Sequence, residues 1–65
     1  NKEILIDIDL LNKKNLEKAL SNAVYLIEYY YNKKISFALK YKQFTSKYSN
    51  SLTHKNDLLK FTANV

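Results

Sequence analysis

Apolar and polar residues follow a helical spacing through residues 13–31. On a helix, the apolar positions form one line along the cylinder: Leu16, Leu20, Ala23, Ile27 and Tyr30. Tyr25 and Tyr29 fall on the opposite, polar side. Asn12 or Asn15 can cap the first turn, because a short polar side chain accepts a hydrogen bond from a free backbone N–H. The pattern therefore predicts a long amphipathic helix.

The segment 3–10 has a period of two, with apolar residues at every second position: Ile4, Ile6, Ile8 and Leu10. This alternation is typical of a β-strand, whereas a helix would scatter the same side chains around its cylinder. A strand needs a second strand as its hydrogen-bonding partner, so the segment is a strand only if the chain offers one.

The segment 33–48 fits both a helix and a strand. As a helix it continues the apolar line of the preceding helix past Lys34, through four aromatic residues: Phe37, Tyr41, Phe44 and Tyr48. As a strand, it places alternate apolar side chains on one face: Ile35, Phe37, Leu39 and Tyr41. The absence of Gly and Pro favours the helix, because tight hairpin turns usually depend on these residues. The missing partner of the segment 3–10 favours the strand.

These patterns predict an all-α fold: a small helical domain with a long central amphipathic helix and a short C-terminal helix near residues 52–61. Ser51 or Thr53 would cap this last helix. The alternative is an α/β fold, in which strands near residues 3–10 and 35–42 flank the helix 13–31.

The 65 residues suffice for a single small domain, or they are a fragment of a larger protein, since the sequence does not begin with Met. A domain of this size buries only about 60% of its unfolded surface and is marginally stable. Cys is absent, so disulfides and thiolate metal sites are excluded and self-association remains as a stabilising device. All 11 strongly basic residues are Lys, while Asn, Ile and Tyr are frequent, which indicates an AT-rich genome.

The net charge of +5 is unevenly distributed. In residues 1–11 one lysine accompanies three carboxylates, whereas the remainder holds ten lysines and three carboxylates. On a helix, one face would carry five groups suited to phosphate contacts, at a repeat of roughly 10 Å: Lys33, Ser36, Lys40, Gln43 and Lys47. The simpler interpretation is a solvated helix face.

Six aromatic residues on the apolar line are candidates for a protein interface: Tyr30, Tyr31, Phe37, Tyr41, Phe44 and Tyr48. A chain this small cannot cover such a line alone. Tyr25 and Tyr29, on the polar side, are candidates for an exposed aromatic platform, with simple partial burial as the alternative.

The remaining polar residues indicate no catalytic chemistry. Lys34 reaches solvent or marks a joint between two helices. His54 has no evident nucleophile or carboxylate partner, and Asp7 and Asp9 would share one face of a strand as a solvated edge. A single His with scattered carboxylates does not suit zinc, and no Gly-rich loop offers a phosphate site. We therefore expect no enzymatic activity, no metal and no cofactor.

The sequence predicts a non-enzymatic helical protein-interaction module that self-associates or docks on a larger partner through its aliphatic and aromatic line. The alternative is a basic helical protein that binds nucleic acid through the lysine face. Binding to a membrane surface is not expected, because the acidic start opposes anionic lipids. Nothing in the sequence indicates a cellular location.

Overall fold

The computed structural model describes residues 2–65, which form three strands and three helices. Their order is β1 (Glu3–Asp7), α1 (Ile8–Leu11), α2 (Leu16–Asn32), β2 (Ser36–Tyr41), β3 (Phe44–Thr45) and α3 (Leu52–Ala63). The prediction of an all-α fold is therefore wrong, because the residues of β2, which were assigned to a helix, form a strand. The structure has the alternative α/β arrangement, with a strand on either side of the long helix.

The three strands form one sheet in the order β1-β2-β3. β1 and β2 are parallel, and Glu3 to Asp7 pair in register with Ser36 to Lys40. Parallel neighbours need a crossover connection of about a dozen residues or more, which α2 provides. This pairing between distant segments decides the structure of β2, since its own sequence pattern fits a helix equally well.

β2 and β3 form an antiparallel hairpin that turns at Lys42–Gln43. Lys42 has a φ of 53°, a left-handed conformation that is unfavourable for a residue with a Cβ atom. The turn is held by α1, because Asp9 Oδ2 accepts a hydrogen bond from the Lys42 backbone N–H at 2.6 Å. The same oxygen lies 3.6 Å from Lys40 Nζ. A contact from a distant element thus supports a hairpin turn that contains no glycine.

After β3 the chain continues to pair with β2, and over this stretch it contains one residue more than β2. Ser46 donates its backbone N–H to Leu39 O at 2.9 Å, and its Oγ accepts from Leu39 N at 2.9 Å. Phe37 and Ser49 then form an antiparallel bridge with two N–O distances of 3.1 Å. The pairing shifts by one residue between Ser46 and Ser49, as in a β-bulge.

α2 ends in a Schellman motif with Lys34 at the left-handed position, where its φ is 60°. The backbone N–H of Ile35 donates to Tyr30 O at 3.0 Å, and that of Lys34 donates to Tyr31 O at 3.1 Å. The side-chain amide of Asn50 donates to Tyr30 O and Ile35 O at 3.2 and 2.8 Å. Lys34 therefore marks the joint between a helix and a strand, and not between two helices.

The core lies between the sheet and the helices and contains eight buried residues: Ile6, Ile8, Ala19, Ala23, Ile27, Phe37, Leu39 and Leu58. The buried line predicted for α2 is only partly correct. Ala23 and Ile27 are fully buried, Leu20 and Tyr30 are half-buried, and Leu16 is 44% exposed. The most buried side of α2 is thus rotated slightly toward its alanines.

Candidate interaction surfaces

The five residues of the predicted phosphate-binding face do not lie on one helix. Lys33 follows the last residue of α2, Lys40 lies in β2, and Lys47 lies in the segment after β3. Ser36 begins β2, and Gln43 lies in the hairpin turn. The helical repeat that would align them is absent, because the helix ends before β2 begins.

Two lysines of this predicted face already have neighbours within the molecule. Lys40 Nζ lies 3.6 Å from Asp9 Oδ2, and Lys33 Nζ lies 5.7 Å from the centre of a tyrosine ring on α2. Elsewhere, Lys55 Nζ lies 3.1 Å from Glu28 Oε1. Such partly exposed ion pairs each contribute only about 0–1 kcal/mol to stability.

Lysines gather instead near the two ends of α2. Lys13, Lys14 and Lys42 line a shallow depression beside the start of the helix, and Lys2 and Lys34 line another beside its end. The 17 residues of α2 span about 25 Å. Charges this far apart are largely screened from each other at 0.1 M salt, where the Debye length is about 10 Å.

The six aromatic candidates for an interface are divided among α2, β2 and the edge segment after the hairpin turn. Phe37 is fully buried, so its side chain is not available to a partner. Three tyrosines are half-buried against the core: Tyr30, Tyr31 and Tyr41. Phe44 and Tyr48 are each 41% exposed. No continuous aromatic line runs along one helix, because these residues belong to different elements.

Phe44 belongs to an aromatic cluster at the hairpin end of the sheet. Its ring stacks on Phe61 with centroids 4.5 Å apart, and Tyr41 meets Phe61 edge-on at 6.2 Å. Lys42 Nζ lies 5.3 Å from the centre of the Tyr41 ring. The sequence does not indicate Phe61 as a member, because the cluster joins residues of β2, β3 and α3 that no local pattern connects.

Tyr25 and Tyr29 lie one turn apart on the outer side of α2, as the helical period predicts. They are 67% and 42% exposed, and their rings stack with centroids 6.2 Å apart and an interplanar angle of 19°. Tyr30 contacts the Tyr29 ring edge-on at 5.4 Å, and Lys33 Nζ lies near the same ring. The pair is therefore held by its neighbours and remains exposed.

His54 is a buried residue of α3 and is only 5% exposed. Its Nε2 lies 2.8 Å from Phe37 O, and the two rings pack with centroids 5.0 Å apart. A carbonyl oxygen only accepts hydrogen bonds, so Nε2 is the protonated nitrogen in this contact. The imidazole joins α3 to β2 inside the core.

The two aspartates near the start of the chain have local structural roles. Asp7 ends β1 and caps α1, where its side chain accepts a hydrogen bond from Asp9 N at 3.0 Å. Asp9 holds the hairpin turn through Lys42. The prediction that both carboxylates share one strand face is wrong, because the strand ends at Asp7.

Within residues 2–65, no group of three or more His, Asp or Glu side chains is placed to hold a metal ion. None of the helices described there has the length and hydrophobicity that crossing a bilayer requires.

Comparison of the chain with protein-family models, with curated proteins and with solved structures finds no match.

Proposed function

We propose that the protein is a non-enzymatic interaction module that self-associates through the outer side of α2. The observation that supports this proposal best is the stacked and exposed pair of Tyr25 and Tyr29. Tyrosine is enriched among the residues that dominate protein interfaces, since it buries a large ring and still offers a hydroxyl group.

The same side of α2 carries short side chains beside the tyrosines. One turn before Tyr25 the helix carries Ser21 and Asn22, which are short and exposed. In two antiparallel α2 helices related by a two-fold axis, Tyr25 of each copy can lie opposite Asn22 of the other, and the same register places Tyr29 opposite Lys18. Self-association also suits a domain that buries only a modest fraction of its surface alone.

The tyrosine pair is already ordered in the single chain. Tyr30 and Lys33 contact Tyr29, and the core fixes α2 through three fully buried residues: Ala19, Ala23 and Ile27. Immobilising a flexible side chain at an interface costs about 0.5–1.5 kcal/mol. An aromatic pair that is ordered beforehand avoids part of this cost, which favours association.

Sedimentation equilibrium over a concentration series tests this proposal. We expect a monomer–dimer equilibrium, and Tyr25→Ser should raise the dissociation constant of the dimer at least about tenfold, or about 1.4 kcal/mol. The matched control is Tyr48→Ser, which removes an exposed tyrosine outside α2 and should change the constant less than about twofold. A protein that stays monomeric up to about 1 mM, or equal effects of both substitutions, would contradict the proposal.

Nucleic-acid binding through a lysine face is the alternative. Its support is the net charge of +5. Against it, the lysines of the predicted row belong to separate elements, and Lys40 already contacts Asp9. We therefore favour the interaction module, and salt-dependent binding of an oligonucleotide distinguishes the two functions.

A further inference from the structure

In the described part of the chain, residues 2–65, no strand lies beside the outer edge of β1. β1 is the first strand in the order β1-β2-β3, so one of its two edges faces away from the sheet. Alternate residues of such a strand direct their backbone N–H and C=O groups to the free side. Among residues 2–65, no backbone hydrogen bond joins β1 to a strand other than β2. An edge of this kind is a template for a further strand.

β1 also lacks most of the features that prevent edge strands from pairing. It contains no Pro and no bulge, and all five of its residues pair in register with β2. The opposite edge of the sheet, by contrast, is bulged between Ser46 and Ser49, which hinders the addition of a strand there. The sheet is therefore open to a further strand at β1.

The side chains of β1 show which kind of segment fits this edge. Strand alternation directs Ile4 and Ile6 to the core and sends Glu3, Leu5 and Asp7 to the opposite face, where Leu5 is 43% exposed. On the β2 side these three residues pair with Ser36, Ala38 and Lys40. Along its free edge, β1 thus presents the pattern acidic, apolar, acidic.

We propose that the free edge of β1 binds an extended segment of a partner protein by β-strand addition. The segment carries Lys or Arg on both sides of an apolar residue, at alternate positions, so that its charges lie opposite Glu3 and Asp7. Backbone hydrogen bonds supply the affinity, and the cross-strand charge pairs supply the specificity. Different residues form the tyrosine surface of α2, so this inference does not depend on self-association.

A second copy of β1 fits the same edge poorly. Two strands related by a two-fold axis pair antiparallel. In the register that uses all five residues, Glu3 of each copy lies opposite Asp7 of the other. Like charges directly opposite each other destabilise a strand pair, so the edge favours a basic segment over itself.

Titration with a synthetic peptide that contains the sequence Lys-Thr-Val-Thr-Lys tests the proposal. Binding is followed at low ionic strength by NMR, and the β1 amides that face away from β2 should become protected from hydrogen exchange. One control peptide has Glu in place of both Lys, and the other keeps the side chains but has N-methylated backbone amides. Both controls should bind at least about tenfold more weakly, since each removes one source of the interaction.

Two charge-matched pairs of substitutions locate the site. Glu3→Gln with Asp7→Asn neutralises the edge and keeps the cap of α1, because Asn caps helices as well as Asp. The control, Glu17→Gln with Asp57→Asn, removes the same charge from exposed positions on α2 and α3. We expect the first pair to weaken peptide binding about three- to tenfold, and the control pair less than about twofold.

Three outcomes would overturn the proposal. The first is equal weakening by both pairs of substitutions, and the second is binding of the N-methylated peptide as tightly as the parent peptide. The third is protection of the free β1 amides in concentrated protein without peptide, which would assign the edge to a second copy.

Discussion

Two lysines adopt backbone conformations that usually belong to glycine. Lys34 has a φ of 60° at the end of α2, and Lys42 has a φ of 53° in the hairpin turn. In this region Cβ approaches the following carbonyl oxygen, at a cost of about 1–2 kcal/mol. Beside Lys34, the side-chain amide of Asn50 donates a hydrogen bond to Ile35 O, and in the hairpin turn the backbone N–H of Lys42 donates one to Asp9 Oδ2. These two hydrogen bonds hold the backbone at both positions. Tight turns therefore form in this chain although it contains no Gly.

Replacing Lys34 by Gly should raise the free energy of unfolding by about 0.5–1 kcal/mol. Gly removes the contact of Cβ, although its greater freedom in the unfolded chain cancels part of the gain. Urea unfolding followed by circular dichroism measures the change. The control is Lys33→Gly at a right-handed helical φ of −81°, which should lower the same quantity by about 0.5–1 kcal/mol. A decrease for both variants would show that Lys34 is not strained.

Among the elements, the two long helices could be predicted from the sequence, whereas β2 and the short helix α1, whose residues the pattern assigned to a strand, could not. α2 and α3 have local signals, including caps at Asn15 and Ser51, whose side chains accept backbone hydrogen bonds at 3.1 and 3.0 Å. β2 has no such signal, because Phe37 and Tyr41 fit a helical line and a strand face equally well. Its pairing with Glu3–Asp7 makes this segment a strand. The partner strand precedes α2 in the sequence, so no pattern within β2 itself reveals the pairing.

The orientation of α2 shows a second limit of local patterns. Its most buried line consists of Ala19, Ala23 and Ile27, all 0% exposed. Hydrophobicity alone places Leu16 and Leu20 at the centre of the buried face, because Leu ranks above Ala. The small alanine side chains instead allow the helix backbone to approach its neighbours closely, which moves Leu16 to the margin.

Ile27→Ala should therefore lower the free energy of unfolding by about 2–5 kcal/mol, since it leaves a cavity in the core. Leu16→Ala removes a similar volume from a position that is 44% exposed and should cost less than about 1 kcal/mol. Urea unfolding measures both changes. A stabilising osmolyte in the buffer keeps the less stable variant folded at the start of the titration. Equal losses for both variants would show that α2 is oriented as the sequence alone suggests.

For the whole molecule, the candidate surfaces differ in how far the sequence reveals them. The exposure of Tyr25 and Tyr29 follows from the period of one helix. The free edge of β1 does not follow from a local pattern, because it depends on the strand order, and neither does the distribution of lysines around α2.

Two sets of three lysines differ in how they are placed on the molecule. The start lysines are Lys13, Lys14 and Lys42, which line one depression, and the row lysines are Lys33, Lys40 and Lys47, which the sequence places on one helix face.

Replacing either set by Gln should affect the binding of a single-stranded oligonucleotide differently. Each phosphate contact contributes about 0.7 to the slope of log K against log salt for single strands. Loss of the start lysines should flatten that slope by about two units, because the three residues lie together. Loss of the row lysines should flatten the slope by about 0.7 at most, since they lie on separate elements.

Each variant removes three positive charges, so each variant is the control for the change in net charge of the other. Equal flattening would indicate a response to net charge alone, and a larger effect of the row lysines would restore the predicted lysine face. A protein that binds no oligonucleotide at low salt would exclude the nucleic-acid alternative.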